Sequence, residues 1–198
     1  DLRWKILDAP IALYGQVAGE DEDNFFPNAL MFQYGLEGWK KLNDSTMRVF
    51  AEYADLTSYW WTGDPRTRNI SYGHHIYKEG YRYRGRPIGH WADQDSQILS
   101  FGGLLVNDEG NGWGTTLRFG ELNAGPLRNA PPQDGSLGNS SVSDDVTTKY
   151  FSLDLNNAGQ YPQYGLSAYT SIGWESLGVV GGSKDDGLSA FLSVTRTF

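Results

Sequence analysis

The chain of 198 residues contains no cysteine. That excludes a disulfide framework, a thiolate metal site and a cysteine nucleophile. Positive charge is scarce as well: 16 Lys and Arg stand against 24 Asp and Glu, a formal net charge of −8. Such a chain has nothing to neutralise a phosphate backbone in bulk, so nucleic acid is not an expected partner. No apolar run approaches the roughly 18 residues of a membrane-spanning helix, and a mean hydropathy of −0.50 taken alone describes a soluble protein. One membrane class escapes that test, because β-barrels alternate apolar and polar residues along each strand. An initiator methionine and a signal-peptide pattern are also missing, since the chain opens on Asp1-Leu2-Arg3-Trp4. The expectation is a processed product or a piece of a longer chain.

What the chain does contain is 25 glycines, 12 tyrosines and 7 tryptophans, poor material for helices and good material for strands and turns. Alternation at period two follows. Ile11, Leu13, Gly15 and Val17 oppose Tyr14, Gln16 and Glu20. Leu30, Phe32, Tyr34 and Leu36 oppose Gln33, Gly35 and Glu37. Met47, Val49, Ala51 and Tyr53 oppose Arg48 and Glu52. Leu166, Ala168, Thr170, Ile172 and Trp174 oppose Ser167, Tyr169 and Ser171, and Leu188, Ala190, Leu192 and Val194 oppose Ser189, Ser193 and Thr195. Segments near 97–107, 112–122 and 146–156 read as strands too, and residues 1–8 supply one more.

The second face separates the fold classes. A soluble sandwich, the competing all-β reading, carries Lys, Glu and Asp on its solvated face. Here that face is mainly Gly, Ser, Thr, Gln and Tyr, which suits the wet interior of a membrane barrel whose apolar band meets lipid. Trp39, Trp113, Trp174, Tyr164 and Phe198 near strand ends fit an interfacial aromatic girdle. The last alternating strand, ending on Phe198, resembles the C-terminal signal by which bacterial outer-membrane barrels are recognised, so the barrel-assembly machinery is an expected partner beside outer-membrane lipid. With Phe198 at the periplasmic side, connections near 175–187, 123–145, 56–94 and 21–28 fall outside and those near 157–160, 108–111 and 42–44 inside. Every external connection in this count is longer than every internal one, as expected of outer-membrane barrels. The fold class is all-β: an antiparallel transmembrane barrel with about nine strands present. Single-chain bacterial barrels normally have an even number, so either the count is off by one or residues 1–198 are part of one larger barrel domain; the abrupt start at Asp1 favours the second expectation.

Two stretches carry a family resemblance. Gly19-Glu20-Asp21-Glu22-Asp23-Asn24 follows the strand Leu13–Ala18, and Phe50-Ala51-Glu52-Tyr53-Ala54-Asp55 leads to Gly80-Tyr81-Arg82-Tyr83-Arg84-Gly85-Arg86-Pro87-Ile88-Gly89-His90 and Asp93-Gln94-Asp95-Ser96. Together they resemble the C-terminal half of the Wzi family of capsule-assembly outer-membrane proteins, over about residues 10–120. The resemblance implies a barrel of about eighteen strands, of which this chain would be the C-terminal half. It also implies a lectin-like role, attaching or organising capsular or other extracellular polysaccharide at the surface of a Gram-negative cell.

The 56–94 connection is where binding is expected. Trp60, Trp61, Tyr81 and Tyr83 interleave with Arg82, Arg84, Arg86, His90 and Asp93. Aromatic rings stack sugar faces, and the guanidinium fork bonds hydroxyls or uronate carboxylates in pairs. The competing reading folds this loop into the barrel mouth, with its arginines paired to Glu20, Asp21, Glu22 and Asp23. That acidic run is also a conceivable divalent-cation site, but it lacks the spacing and glycine of an EF-hand loop, so no metal and no cofactor are expected. His90 beside Asp93 and Asp95 raises an acid–base dyad, yet no nucleophile or oxyanion donor accompanies it, and no enzyme is expected. Glu37, Arg48, Glu52 and Arg118 fall on the interior face, as cross-strand ion pairs or as the lining of a pore. The alternative function is therefore an outer-membrane diffusion channel for oligosaccharides or small solutes.

Overall fold

A computed structural model describes residues 1–23, 25–57, 82–83, 86–93, 95–122 and 147–196, the side chains of 20–23, 26–29 and 82 excepted. They form one antiparallel sheet of nine strands and a separate two-stranded ribbon. The large sheet comprises β1 (Leu2–Lys5), β2 (Ile11–Asp23), β3 (Phe26–Leu42), β4 (Ser45–Asp55), β7 (Gln97–Asn107), β8 (Gly112–Leu122), β9 (Thr148–Tyr161), β10 (Leu166–Val179) and β11 (Lys184–Arg196), each paired with its neighbour in chain order. The ribbon pairs β5 (Arg82–Tyr83) with β6 (Arg86–Pro87). Strands β2 to β4 and β7 to β11 are 11 to 17 residues long, enough for the roughly 9–11 that a tilted strand needs to cross a bilayer. No helix among the described residues is long and apolar enough to cross one.

Register fixes which side chains share a face. Trp4, Leu13, Leu36, Ala51, Phe101, Leu117, Leu153, Trp174 and Leu188 are consecutive cross-strand partners, an apolar row that passes through all nine strands. On the other face the equivalent row reads Arg3, Tyr14, Gly35, Glu52, Ser100, Arg118, Ser152, Glu175 and Gly187. The alternation expected from sequence thus holds strand by strand. The apolar face is not covered: Leu188 is 78% exposed, Leu192 66%, Ile172 57% and Leu155 52%. Apart from Ala12, the buried apolar side chains gather instead at one end of the strands. Met31 and Leu56 form one cluster, Ile98, Leu122 and Tyr150 another, and Ala92 packs against both.

The polar face is lined by large side chains lying over glycines. A Cβ at Gly102 would stand inside the Phe50 ring, and one at Gly35 would meet both the Tyr14 ring and the Ala51 carbonyl at 2.8 Å. Ring and glycine fill one space, so these positions have no room for a larger residue.

Three expectations need correction. The 21–28 connection is shorter than expected, because β2 and β3 stay paired out to Asp23 and Phe26, with two residues between them in sequence; Glu20, Asp21, Glu22 and Asp23 are strand residues, not a loop. The 175–187 connection likewise shrinks to 180–183. These turns are no longer than 108–111 or 162–165 at the opposite end, so the length rule fails for two of four connections, and only 56–96 and 123–147 are long. Alternation of side chains does not mark where pairing stops, which is why both strands run on past the expected ends. Finally, Trp39 belongs to the polar face, opposite Arg48 and beneath Arg3 at 5.8 Å, not to an outer girdle. Trp113 and Trp174 do lie on the apolar face, whereas Phe198 is outside the described residues.

Candidate functional site

Residues 88–93, 95 and 96 return from the long connection after β4, and Trp91 among them lies against the polar face. The turn is fixed locally. Asp93 adopts a left-handed backbone with φ 56, its amide donates to the His90 carbonyl at 3.2 Å, and the Ser96 hydroxyl donates to the Asp93 carbonyl at 2.8 Å. The Leu56 amide donates to the Ser96 carbonyl at 2.8 Å, tying both ends of the connection together. Next to it the Asp55 carboxylate accepts the Thr57 amide at 2.9 Å, the Thr57 hydroxyl at 2.6 Å and the Gln97 amide at 2.9 Å.

Trp91 joins this segment to the strand wall. Its ring centroid is 5.0 Å from that of Tyr150 on β9 and 5.7 Å from the Arg118 guanidinium on β8. Arg118 in turn donates to Asp154 at 2.6 Å. Between the segment and the wall lies a cavity of about 560 Å³, bordered by Gln16, Gln33, Glu52, Trp91, Thr116 and Arg118. A second cavity of about 480 Å³ continues it along the face towards Tyr14, Arg48 and Asn156 and shares Phe50, Glu52 and Thr116 with the first. Burial lowers the His90 pKa below its ordinary value, helped by Arg118 and opposed by Glu52. The imidazole is therefore held towards its neutral form.

The interior-face charges are paired. Glu37, almost fully buried, accepts from Arg3 Nε at 2.6 Å and Arg48 Nε at 2.8 Å. Glu52 accepts the Tyr14 hydroxyl at 2.9 Å. Of the expected binding residues, Trp60, Trp61, Tyr81 and Arg84 lie outside the described residues, as does the Arg82 side chain. Tyr83 is 63% exposed and Arg86 is exposed too, on the small ribbon. Asp93 is buried at 6%; it shapes the turn and presents no surface for a polymer. Trp91 belongs to the same aromatic and basic segment, but its importance rests on a long-range partner, Arg118, that no local pattern discloses. Among the described residues no cluster of ligating side chains could hold a metal ion.

Residues 1–106 match the family model for capsule assembly protein Wzi. The chain belongs to that family. A protein of the cps region of Klebsiella pneumoniae, described as an uncharacterized 55.8 kDa protein, is 32% identical over 126 residues, covering 62% of this chain and 24% of its own length. Among solved structures, Wzi of Escherichia coli superimposes with a TM-score of 0.70 at 24% identity, over 96% of this chain and 39% of that one. That protein is described as an outer-membrane, carbohydrate-binding β-barrel involved in group 1 capsule assembly. At this identity the likeness shows the fold: the nine-stranded sheet is part of a Wzi-like β-barrel. The chain spans about a quarter of the curated relative and 39% of the solved barrel.

Proposed function

We infer that this chain is part of an outer-membrane barrel that binds polysaccharide at the cell surface and so retains or organises a capsule or similar glycan. The observation that carries the reading is Trp91 held over a polar cavity between the 88–96 segment and the strand wall. An aromatic ring beside amide, hydroxyl and carboxylate groups is the chemistry by which proteins hold sugars, apolar ring face to ring and hydroxyls to polar atoms. Support for the membrane comes from the apolar row through all nine strands and from a face left open to its surroundings, a surface far beyond what a soluble monomer exposes. The apolar face meets lipid, the polar face lines the interior, and the 56–96 and 123–147 connections lie outside. Exposed Tyr83 and Arg86, with Trp60, Trp61, Tyr81, Arg82 and Arg84 of the same connection, extend the binding surface. The role is binding, not catalysis.

The test is polysaccharide binding by the complete detergent-refolded barrel, run beside conductance in planar bilayers. Saturable binding without conductance is the expected result. Conductance without binding replaces this reading with the diffusion channel.

A further inference from the structure

The two cavities on the polar face are one groove. They meet at Phe50 and Glu52 on β4 and Thr116 on β8, the two strands that flank β7, and run from Trp91 at one end to Tyr14, Arg48 and Asn156 at the other. Their volumes of about 560 and 480 Å³ each lie in the range of small-ligand sites, roughly 300–1,000 Å³. The groove follows the strand wall from the end that carries the long connections towards the short turns. A ligand lying in it therefore points into the barrel and does not lie across its mouth.

The groups along the groove define what it takes. Gln16 and Gln33 are direct cross-strand partners, so two amides stand side by side on the cavity that Trp91 also lines. Each amide offers both a donor and an acceptor, the match for neighbouring sugar hydroxyls. At the junction stands Glu52, bound through one oxygen to the Tyr14 hydroxyl. A carboxylate accepts from hydroxyls and repels a uronate. Arg118, also on the lining, is held by Asp154 at 2.6 Å and by the Trp91 ring, and Arg48 by Glu37. Phe50, lying flat over Gly102, gives the floor an apolar patch.

We propose that this groove is an internal binding site for a neutral oligosaccharide segment, with a sugar ring on Trp91, its hydroxyls on Gln16 and Gln33, and the next sugar's hydroxyls on Glu52. The proposal rests on the glycan-binding reading above and adds where the chain lies and which sugars enter. An external polymer would thus be held by a neutral stretch threaded into the barrel, not only by contacts at its mouth.

The complete barrel is titrated with neutral hexose oligomers of two to six units and with uronic-acid oligomers of the same lengths, following tryptophan fluorescence. Neutral oligomers are expected to bind at least tenfold more tightly than acidic ones, with affinity levelling off once the groove is filled. Thr116→Trp fills the junction and is expected to abolish the preference for oligomers longer than two units. Glu52→Gln is expected to narrow the difference between neutral and acidic ligands. Heat-modifiable gel migration confirms that each variant forms a barrel; should Thr116→Trp fail to fold, Thr116→Leu takes its place. Binding by the parent that neither substitution changes, or a preference for acidic oligomers, overturns the internal site while leaving the glycan-binding reading intact. Absence of binding to any glycan, including whole polysaccharide, overturns both.

Discussion

The Arg118 guanidinium lies 5.7 Å from the centre of the Trp91 ring while its other contact, Asp154, sits 2.6 Å away. One cation thus serves two elements remote in sequence: it pairs along the β8–β9 ladder and anchors a returning connection. Tyr150 completes the seat, ring centroid 5.0 Å from that of Trp91 and hydroxyl 3.1 Å from Glu175 on β10. Side chains thus hold the 88–96 segment against the wall, while the backbone bond from Leu56 to Ser96 holds its stem.

Trp91→Ala is therefore expected to release the segment without unfolding the barrel. The ring is 43% exposed, so the loss falls below the roughly 3–5 kcal/mol of a fully buried tryptophan, and about 1–2 kcal/mol is expected. Amide hydrogen exchange in residues 88–96 should quicken by about tenfold or more, while the β7, β8 and β9 amides keep their protection. Arg118→Ala should loosen the same segment and also take away the cation that pairs with Asp154. Unchanged exchange in 88–96 for both variants would show that the ring and cation are bystanders.

Acid should loosen the same place. Burial, with Arg118, depresses the His90 pKa, while Glu52 opposes the shift. The sign follows from linkage. An undocked His90 titrates near the ordinary 6.5, the docked one below it, so between those values the undocked state binds more protons and docking weakens as pH falls. Above 6.5 the docked state keeps its full stability. Hydrogen exchange of 88–96, corrected for the intrinsic pH effect, is expected to rise as pH drops below 6.5, and His90→Gln should flatten the profile. A segment that tightens in acid would mean that Glu52 outweighs burial.

The sheet was largely legible from the sequence because a strand shows its two faces at every second residue. Leu13 and Tyr14, Leu36 and Glu37, Ala51 and Glu52 fall on the faces that alternation gives them. Where strands end was less legible. Asp21 and Glu22 look like loop residues, yet they pair with Asn28 and Pro27, since a ladder needs only backbone and tolerates acids on a protruding hairpin. The ion pairs were half legible. Glu37 with Arg48 follows from neighbouring strands, but Arg3, which also holds Glu37, comes from two strands away and reaches over Tyr14's strand. The site was least legible. Arginines and aromatics between 80 and 95 mark out the connection that carries Trp91, but the pairing of Trp91 with Arg118 joins residues that no spacing rule relates, and Asp93, which reads as a ligand contact, is buried in the turn.

The apolar row offers the sharpest test of what surrounds the barrel. Leu153 sits in that row on β9, between Leu117 and Trp174, 37% exposed. On a soluble sheet, arginine at a partly exposed position costs little and improves solubility. On a surface that meets hydrocarbon it must carry its charge into a medium that cannot solvate it, at about 2–4 kcal/mol near the bilayer midplane. Leu153→Arg is thus expected to lower the stability of the complete barrel folded into lipid vesicles by roughly that amount. Lys149→Arg, on the same face of β9 at its long-connection end, should be neutral and controls for the chemistry of the residue. Thr116→Arg on the opposite face, which on the proposed reading lines the interior, should cost less than Leu153→Arg. Equal cost on the two faces would mean that lipid does not cover the apolar row, and the barrel would have to be placed in some other surrounding.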